Sequence, residues 1–351
     1  MVDGPAARHF WQITMNWIPV DAEEREARRS VWTRHWASGA AHSCIGTYGD
    51  VYDGEIAAFW NRVLKPVKSG QRILDIATGS GALPRLILSM RPDADVQIDA
   101  VDLANIRPEW IARLPASQRA RVRFHGGQAA EQLPFDDAQF GLVISQYGLE
   151  YSQLDRSVPE MLRVLAPGGR VALLIHHSDS RPVRLAAIEI GHIDWLNSAA
   201  GLLSATEAML EPMARATTPQ GRASLTVDAN AESMRERFNA AQDALRARAV
   251  KRDGADVLFE AQDAVAGVLG IAVRQGATEA CSHLATIMST MADARLRLQE
   301  LRSHATTPAM LESLCEQLCS AGGTVLHGEV REQGHLMGWF VTADTGPRSA
   351  S

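Results

Sequence analysis

The sequence has 351 residues, of which 46% are hydrophobic and 22% are charged. This composition is typical of a globular protein, and the length allows roughly two domains that each bury a core. The net charge of -6 at pH 7 argues against a broad nucleic-acid-binding surface, so nucleic acid is not an expected partner.

The longest apolar run, Ala264 to Val273, is shorter than the roughly 20 residues that cross a bilayer. The N-terminus lacks a basic stretch followed by an apolar one. The four cysteines do not have the spacing of a zinc site and indicate a reducing compartment. We therefore expect a cytoplasmic protein with no metal site and no membrane partner.

The first 66 residues are rich in tryptophan and are predicted to be helical. Helical spacing extends from Glu23 to Trp36, with Asp21 as its N-cap. An amphipathic helix is predicted from Asp53 to Leu64, directly before the first strand.

The rest of the chain is organised around residues 72–84. An apolar run over residues 73–76 ends in a turn that carries Gly79 and Gly81, and a helical pattern from Leu83 to Met90 follows. This order predicts a strand, a tight loop and a helix. The glycines allow the backbone to bend sharply and to approach a ligand, and the start of the helix leaves backbone N–H groups directed at it.

Asp75 lies inside this motif and would repel a pyrophosphate. The stretch has neither Gly-x-Gly-x-x-Gly nor Gly-Lys-Ser/Thr, which are the two common nucleotide fingerprints. A carboxylate at this place suits a ligand that carries an ammonium group. The alternative is that the glycine pair is only a strand-to-helix turn, which is common in doubly wound proteins.

Further strands are predicted downstream. Val96 to Val101 reads as a strand ending at Asp102, about 20 residues beyond the loop, where doubly wound folds place a carboxylate on ribose hydroxyls. A strand is also predicted from Phe140 to Ser145. Another, from Val171 to Ile175, follows the Leu-Ala-Pro-Gly-Gly turn at residues 165–169.

The glycine loop, Asp102, the Leu-Pro-Phe segment at residues 133–135 and the Pro-Gly-Gly turn occur in an order that resembles class I S-adenosylmethionine-dependent methyltransferases. The similar subgroup includes the ubiquinone/menaquinone C-methyltransferases, and the resemblance extends from Gly70 to about His177. It implies an α/β fold with a doubly wound, Rossmann-like, seven-stranded sheet whose last strand is antiparallel.

The resemblance implies S-adenosyl-L-methionine as the cofactor. Asp75 would hold the methionine amino group, directly or through water, Asp102 would hold the ribose hydroxyls, and Gln128 with Ala129 would meet the adenine. The predicted cofactor-binding residues are Asp75, Ala77, Thr78, Gly79, Gly81, Asp102, Leu103, Gln128, Ala129 and Gln146.

Three residues depart from the family pattern. Ala77 stands where most members have the first glycine of the loop, an exchange that the subgroup tolerates. Gln128 or its neighbour stands where an Asp usually accepts the adenine amino group, and an uncharged carbonyl accepts more weakly. Gly141 replaces an Asp whose role is mainly structural. These changes keep open the alternative of a non-catalytic, methyltransferase-like assembly protein.

In proteins of this type the N-terminal helices lie across the mouth of the sheet. Trp36, His42, Tyr48 and Tyr52 are therefore predicted to line the acceptor pocket, together with Tyr147 after the fourth strand. The alternative is that these aromatic side chains only pack the helices together.

His176 and His177 follow the fifth strand, at the sheet edge where doubly wound folds bind ligands. Either imidazole is a candidate general base that takes a proton from an acceptor hydroxyl or amine. The alternatives are a structural histidine and catalysis by proximity alone.

A segment that is unusual for the family, from Arg181 to Thr307, has a largely helical pattern. Helices are predicted at Ala186 to Met213, Ala231 to Val250 and Ala277 to His304. Their many apolar side chains must be buried against the rest of the chain or a second copy. The apolar side chains of this segment that are expected to be buried are Leu202, Leu203, Met209, Leu210, Met213, Val257, Leu258, Phe259, Val265 and Val268.

The last predicted elements are a helix from Pro308 to Ala321 and strands at Thr324 to Val330 and Leu336 to Thr342, which form a hairpin. The predicted domains are an N-terminal helical cap (1–66), a methyltransferase core (67–180 and 308–344) and an inserted helical domain for substrate binding or oligomerisation (181–307).

The predicted activity is methyl transfer from S-adenosylmethionine to a small-molecule acceptor, on oxygen or nitrogen. The insert is expected to form one wall of the acceptor pocket and a homodimer interface. An alternative within enzymes is a methyltransferase that acts on a protein or RNA and uses the insert for docking.

Overall fold

The computed structural model describes residues 22–40, 54–92, 95–250, 253–320 and 322–346. In these ranges the strands are β1 (Arg72–Ile76), β2 (Gln97–Asp102), β3 (Val122–Gly126), β4 (Phe140–Gln146), β5 (Leu165–Ile175), β6 (Thr324–Glu332) and β7 (His335–Asp344). The α-helices are α1 (Ala22–Ala37), α2 (Gly54–Leu64), α3 (Ala82–Met90), α4 (Ala116–Arg119), α5 (Leu154–Val164), α6 (Arg181–Asn197), α7 (Leu202–Arg215), α8 (Pro219–Leu225), α9 (Ala229–Ala249), α10 (Asp256–Gln275), α11 (Ala277–His304) and α12 (Pro308–Cys319). A short 3₁₀ turn, Leu149–Tyr151, follows β4.

The seven strands form one sheet in the order β3-β2-β1-β4-β5-β7-β6. The strands β1 to β5 pair in parallel, and β7 is antiparallel to both β5 and β6. The predicted α/β fold class, with an antiparallel last strand, is confirmed. Because the order reverses at β1, the loops after β1, β2 and β4 meet at one edge, where such sheets bind ligands.

Side chains that alternate along each strand fill two separate cores, one on each face of the sheet. Leu74 and Val143 pack on one face with α5 and α12, through residues such as Met161 and Leu311. Ile73 and its neighbours pack on the other face with α2 and α3, and the two helix layers make this a three-layer arrangement.

The helices α6 to α11 bury a third core of their own, which includes Leu202, Leu245, Leu258 and Val265. Most of the apolar residues of this segment that the sequence predicted to be buried belong to this core or pack against it. Phe259 is an exception, because it lies on the outer side of α10 and is 49% exposed. None of the helices in the described ranges combines the length and apolar character that crossing a membrane requires.

The single helix predicted from Ala186 to Met213 is wrong, since α6 and α7 are separate helices. The chain turns sharply between them, and Ser198 N–H and Oγ both bond the carbonyl oxygen of Trp195. A Cβ on Gly201 would lie 2.0 Å from that same oxygen, so only glycine fits the turn.

The two ends of this helical segment meet at the end of β5. Thr306 forms a parallel bridge with His177, its N–H donates to the carbonyl of His176 at 2.7 Å, and its own carbonyl accepts from Ser178 N–H at 3.1 Å. The helices α6 to α11 therefore leave and rejoin the sheet at one point.

Replacing Leu258 by Ala tests whether α6 to α11 form a folding unit of their own. Leu258 is fully buried in their core, so the cavity should cost about 2–5 kcal/mol. Hydrogen exchange should accelerate in α7, α9 and α10 while β1 and β4 stay protected. Leu173→Ala in the equally buried β5 is the matched control, and equal acceleration of both regions by Leu258→Ala would contradict a separate unit.

Candidate cofactor and acceptor site

The end of β1 places a buried carboxylate at the ligand-binding edge of the sheet. Asp75 is 1% exposed, and its Oδ2 has no hydrogen-bond partner among the described residues. Burial raises the pKa of Asp75 to about 8, and the nearby charge of Asp102 acts in the same direction. A cationic group beside Oδ2 would relieve both effects, so the site fits the ammonium group of S-adenosylmethionine.

The loop after Asp75 turns through left-handed backbone conformations at Ala77 (φ 57°), Gly79 (φ 56°) and Gly81 (φ 80°). The N–H of Gly81 donates to the carbonyl of Thr78 at 3.0 Å and closes the turn immediately before α3. Such a turn at a helix start presents backbone N–H groups, which suits the carboxylate of a methionine-like ligand.

Ala77 adopts a conformation that favours glycine, and a second glycine makes room for its methyl group. A Cβ built on Gly148 would lie 2.4 Å from the Cβ of Ala77. Gly148 follows β4. Because Gly148 has no side chain, there is space for the methyl group of Ala77, which stands where most members of the family have glycine.

Asp102 has a different role from Asp75 in the same cleft. Its Oδ2 accepts the N–H of Gly79 and its Oδ1 accepts the N–H of Ala104, each at 2.8 Å. Burial raises its pKa to about 6, and these two backbone hydrogen bonds counteract part of the shift. Asp102 therefore fixes the glycine loop, and each oxygen keeps a lone pair that a ribose hydroxyl can use.

The remaining predicted cofactor residues lie along the same edge. Leu103, Gln128 and Ala129 are each partly exposed. The N–H of Gln128 donates to the carbonyl of Asp102 at 2.9 Å, which ties the loop after β3 to β2. The backbone thus brings the predicted adenine and ribose residues together, although they come from different loops.

Gly141 lies at the opposite end of β4 from the cleft. A Cβ on this residue would lie 2.8 Å from Nε2 of Gln71, so the Gln71 side chain occupies the space that a side chain at 141 would use. The departure at this position is therefore accommodated away from the site.

Trp36 at the end of α1 covers the glycine loop. A Cβ on Gly79 would lie 2.6 Å from the Trp36 indole, so the ring is in contact with the loop backbone. Thr33 Oγ1, on the same helix, accepts the N–H of Asn105 at 3.0 Å. Thus α1 spans the cleft between the β1 and β2 loops, whereas His42, Tyr48 and Tyr52 lie outside the described residues.

The end of β4 contributes polar and aromatic groups. The indole N–H of Trp60, a fully buried residue, donates to Oε1 of Gln146. Tyr147 has φ 52°, and its ring lies 4.3 Å from the imidazole of His176, tilted by 30°. Both Gln146 and Tyr147 are partly exposed and lie at the carboxyl end of β4, the strand between β1 and β5.

His176, the residue after β5, forms a buried pair with Glu150. Both side chains are 1% exposed, and Nδ1 of His176 lies 2.7 Å from Oε1 of Glu150. The same oxygen accepts the backbone N–H of His176 at 2.9 Å. His176 is therefore held at two points by one carboxylate.

His177 points away from this pair. Its ring stacks on Trp339 at 4.2 Å, and its Nδ1 accepts the N–H of Asp179 at 2.8 Å. Burial lowers the pKa of His177, and its other charged neighbours, Glu329 and Arg331, lie on β6. These contacts favour a structural role for His177, whereas His176 contacts a buried carboxylate.

The helix α11 reaches the site and holds α1 in place. Glu300, which is 7% exposed, forms an ion pair with Arg28 and accepts the indole N–H of Trp32 at 2.8 Å. A second ion pair on the same two helices joins Arg34 and Asp293 at 2.6 Å. The helical insert and the N-terminal helix therefore form one wall.

Tyr151 and His304 complete this wall. Their rings stack at 5.3 Å, and Tyr151 also lies edge-on to His176 at 6.1 Å. Burial lowers the pKa of His304, and the neighbouring Arg28 acts in the same direction.

Sequence reasoning missed Glu150, Tyr151, Glu300 and His304. The first two lie in the 3₁₀ turn a few residues after β4, and a search for polar residues near strand ends could have found them. No local sequence pattern identifies Glu300 or His304 as site residues. They reach the site only because α11 returns the chain to the end of β5.

Residues 73–169 match the model of a family described as methyltransferase domain. The ubiquinone/menaquinone biosynthesis C-methyltransferase UbiE of Pseudomonas paraeruginosa is 33% identical over 141 residues, which cover 38% of this chain and 55% of that protein. The protein of the same name from Ectopseudomonas mendocina is 31% identical over 150 residues, 40% of this chain and 58% of its own. The chain thus spans little more than half the length of these relatives.

Among solved structures, phosphoethanolamine N-methyltransferase 2 of Haemonchus contortus covers 92% of this chain and 60% of its own, with 15% identity and a TM-score of 0.40. A SAM dependent methyltransferase from Aquifex aeolicus covers 42% of this chain and 74% of its own, with 14% identity and a TM-score of 0.33. Likenesses at this level carry no argument about function.

Replacing Asp75 by Asn tests the ammonium site. With a pKa of about 8, Asp75 is mostly protonated at pH 7 in the free protein, and a bound ammonium should ionise it. Titration calorimetry at pH 7 in buffers of different ionisation enthalpy should show about one proton released per S-adenosylmethionine bound, and affinity should rise with pH up to about 8.

In Asp75→Asn the proton release should disappear and affinity should fall about tenfold or more, since a charge-assisted hydrogen bond is lost. The exposed Asp155→Asn serves as the control. Equal proton release in the wild type and Asp75→Asn would contradict the assignment.

Proposed function

We propose that this chain, which carries a class I methyltransferase domain, transfers a methyl group from S-adenosylmethionine to a small-molecule acceptor. The observation that carries the proposal is the buried carboxylate of Asp75, whose Oδ2 has no hydrogen-bond partner among the described residues and lies at the glycine loop of that domain. S-adenosylmethionine is a cation-bearing ligand that supplies an electrophilic methyl group on a sulfonium, and it fits this charge.

Different residues of the chain would bind different parts of the cofactor. Asp75 would hold the ammonium group, and the backbone N–H groups of the first turn of α3 would meet the methionine carboxylate. Asp102 would share its free lone pairs with the ribose, while Gln128 and Ala129 would meet the adenine. Trp36 covers the loop and keeps water from this part of the cleft.

The acceptor would lie between the ends of β4 and β5, against α1 and α11. Aromatic rings of Trp32, Tyr147 and Tyr151 are grouped there, with His176 behind them. Alignment of the acceptor by these walls accounts for much of the expected rate. His176 would take the proton that an attacking hydroxyl or amine loses, and we therefore favour transfer to oxygen or nitrogen.

The experiment that tests the proposal has two steps. Calorimetry should show S-adenosylmethionine binding, and a radiolabelled-methyl assay should then show transfer to a member of a panel of small hydroxyl and amine compounds. Bulk protein and RNA in the same assay test the alternative acceptors. Binding without transfer to any acceptor would favour a non-catalytic protein. If a product forms, its NMR spectrum shows whether the methyl group is on carbon, oxygen or nitrogen.

The predicted homodimer stays a prediction. On the described part of the insert Val250 is 78% exposed and Phe259 is 49% exposed. Light scattering coupled to gel filtration measures the oligomeric state directly.

Replacing His176 by Gln tests the proposed base. Turnover should fall about a hundredfold or more, with little change in cofactor affinity, because proton removal is lost while the cofactor residues remain. His177→Gln is the matched control and should lose much less activity. Loss below about threefold in both variants would leave proximity as the mechanism.

Replacing His304 by Ala tests the contribution of the insert to the acceptor site. His304 stacks on Tyr151 and touches none of the proposed cofactor residues in the contacts described above. The KM for the acceptor should rise about fivefold to tenfold, as expected for about 1 kcal/mol of lost stacking, while S-adenosylmethionine affinity stays constant. The exposed His283→Ala on the same helix is the control. An unchanged acceptor KM would remove His304 from the site.

A further inference from the structure

Glu150 is a buried carboxylate with two contacts to the residue proposed as the base. It lies in the 3₁₀ turn after β4 and is 1% exposed. Its Oε1 accepts the backbone N–H of His176 at 2.9 Å and lies 2.7 Å from Nδ1 of the same residue. None of the roles proposed above for other residues requires the carboxylate of Glu150.

We propose that Glu150 is a positioning residue, which fixes the tautomer and orientation of His176 so that its Nε2 accepts the proton released by the methyl acceptor. The proposal rests on the proposed function and deepens it. An ionised carboxylate can only accept hydrogen bonds, so Nδ1 of His176 must carry the proton. In the neutral ring, Nε2 then carries the lone pair.

The proton transfer balances within the pair and the acceptor. The O–H or N–H bond of the acceptor breaks, its electron pair stays on the acceptor atom, and a new N–H bond forms at Nε2 of His176. The imidazolium that results lies against Glu150, whose negative charge stabilises it. No oxidant, reductant or further co-reactant is required.

The charged and titratable groups around His176 support the positioning role of Glu150. Tyr147 faces its ring from the loop after β4, and Tyr151 faces it from the 3₁₀ turn. Beyond Tyr151, Arg28 of α1 is neutralised by Glu300 of α11, where His304 also lies. Of the carboxylates whose contacts the described residues show, Glu150 is the one in direct contact with His176.

The turn that carries Glu150 is itself tied to the sheet. The N–H of Leu149 donates to Oγ of Ser145 at 3.2 Å, and this hydroxyl donates to the carbonyl of Ile76 at 2.7 Å. Ile76 is the last residue of β1 and directly precedes the glycine loop. Glu150 therefore holds His176 at a fixed position relative to the loop that would bind the methyl donor.

Glu150→Gln is the sharpest test, because the amide oxygen can still accept both N–H groups while the negative charge is lost. Turnover should fall about tenfold or more, and the acidic limb of the pH–rate profile should move down by about one unit or more. Cofactor affinity should stay constant. Glu332→Gln, whose carboxylate likewise accepts a backbone N–H (Ile56, 2.8 Å), is the matched control.

Two further measurements keep the test independent of folding and of activity. If Glu150 acts through His176, the double variant Glu150→Gln/His176→Gln should be no slower than His176→Gln alone. Nitrogen-15 NMR of the wild type without substrate should show the proton of His176 on Nδ1. An Nε2–H tautomer, an unmoved acidic limb in a folded Glu150→Gln, or multiplicative losses in the double variant would overturn the proposal.

The NMR result also distinguishes failure of the positioning role of Glu150 from failure of the proposed function. A wild type that transfers no methyl group but shows the Nδ1–H tautomer retains the positioning of His176 and loses the proposed function. A wild type that transfers methyl groups with the opposite tautomer retains the function and loses the role of Glu150.

Discussion

The cost of keeping Asp75 and Asp102 away from water is the constraint on which the site depends. The two carboxylates end adjacent parallel strands and are both buried. Backbone N–H groups satisfy both oxygens of Asp102, whereas Oδ2 of Asp75 has no partner among the described residues. Burial raises the pKa of Asp102 to about 6 against the effect of two backbone hydrogen bonds. Burial raises the pKa of Asp75 to about 8, where Thr78 opposes the shift and the charge of Asp102 adds to it. Asp102 stabilises the loop, and Asp75 is the carboxylate whose charge a bound cation would stabilise.

The cover over this cleft depends on a second buried charge. Glu300 of α11 receives both the guanidinium of Arg28 and the indole N–H of Trp32, so it positions two side chains of α1. Removing the carboxylate would leave Arg28 buried without its counter-charge, which is far more costly than losing a surface ion pair. The position of α1, and with it the Trp36 ring over Gly79, is therefore linked to the insert.

The sequence predicted the parts of the site that follow a local rule. A parallel strand that ends in a carboxylate and a glycine turn indicates Asp75, Gly79 and Gly81 without any tertiary information. The resemblance predicted a seven-stranded sheet with an antiparallel last strand. The break between α6 and α7 was missed because the apolar pattern continues across Gly201, and helix propensity gives way there to a close approach of the backbone to Trp195.

The pairing of His176 with Glu150 was missed for a different reason. A histidine after a strand is equally compatible with a base and with a structural residue, and only the tertiary contact decides which nitrogen carries its proton. Glu300 and His304 were beyond sequence reasoning altogether, since their place depends on where a helical segment of more than a hundred residues returns to the sheet.

The position of the insert follows from the same sheet edge. Because His177 and Thr306 pair directly, backbone hydrogen bonds join the two ends of the segment at the end of β5. The last turn of α11 must then lie over the end of β5, beside Tyr151 and α1. The residues proposed for cofactor binding all precede the insert in the chain, but the insert also holds α1, whose Trp36 covers Gly79. Variation in the insert can therefore change both the wall beside Tyr151 and the cover over the glycine loop.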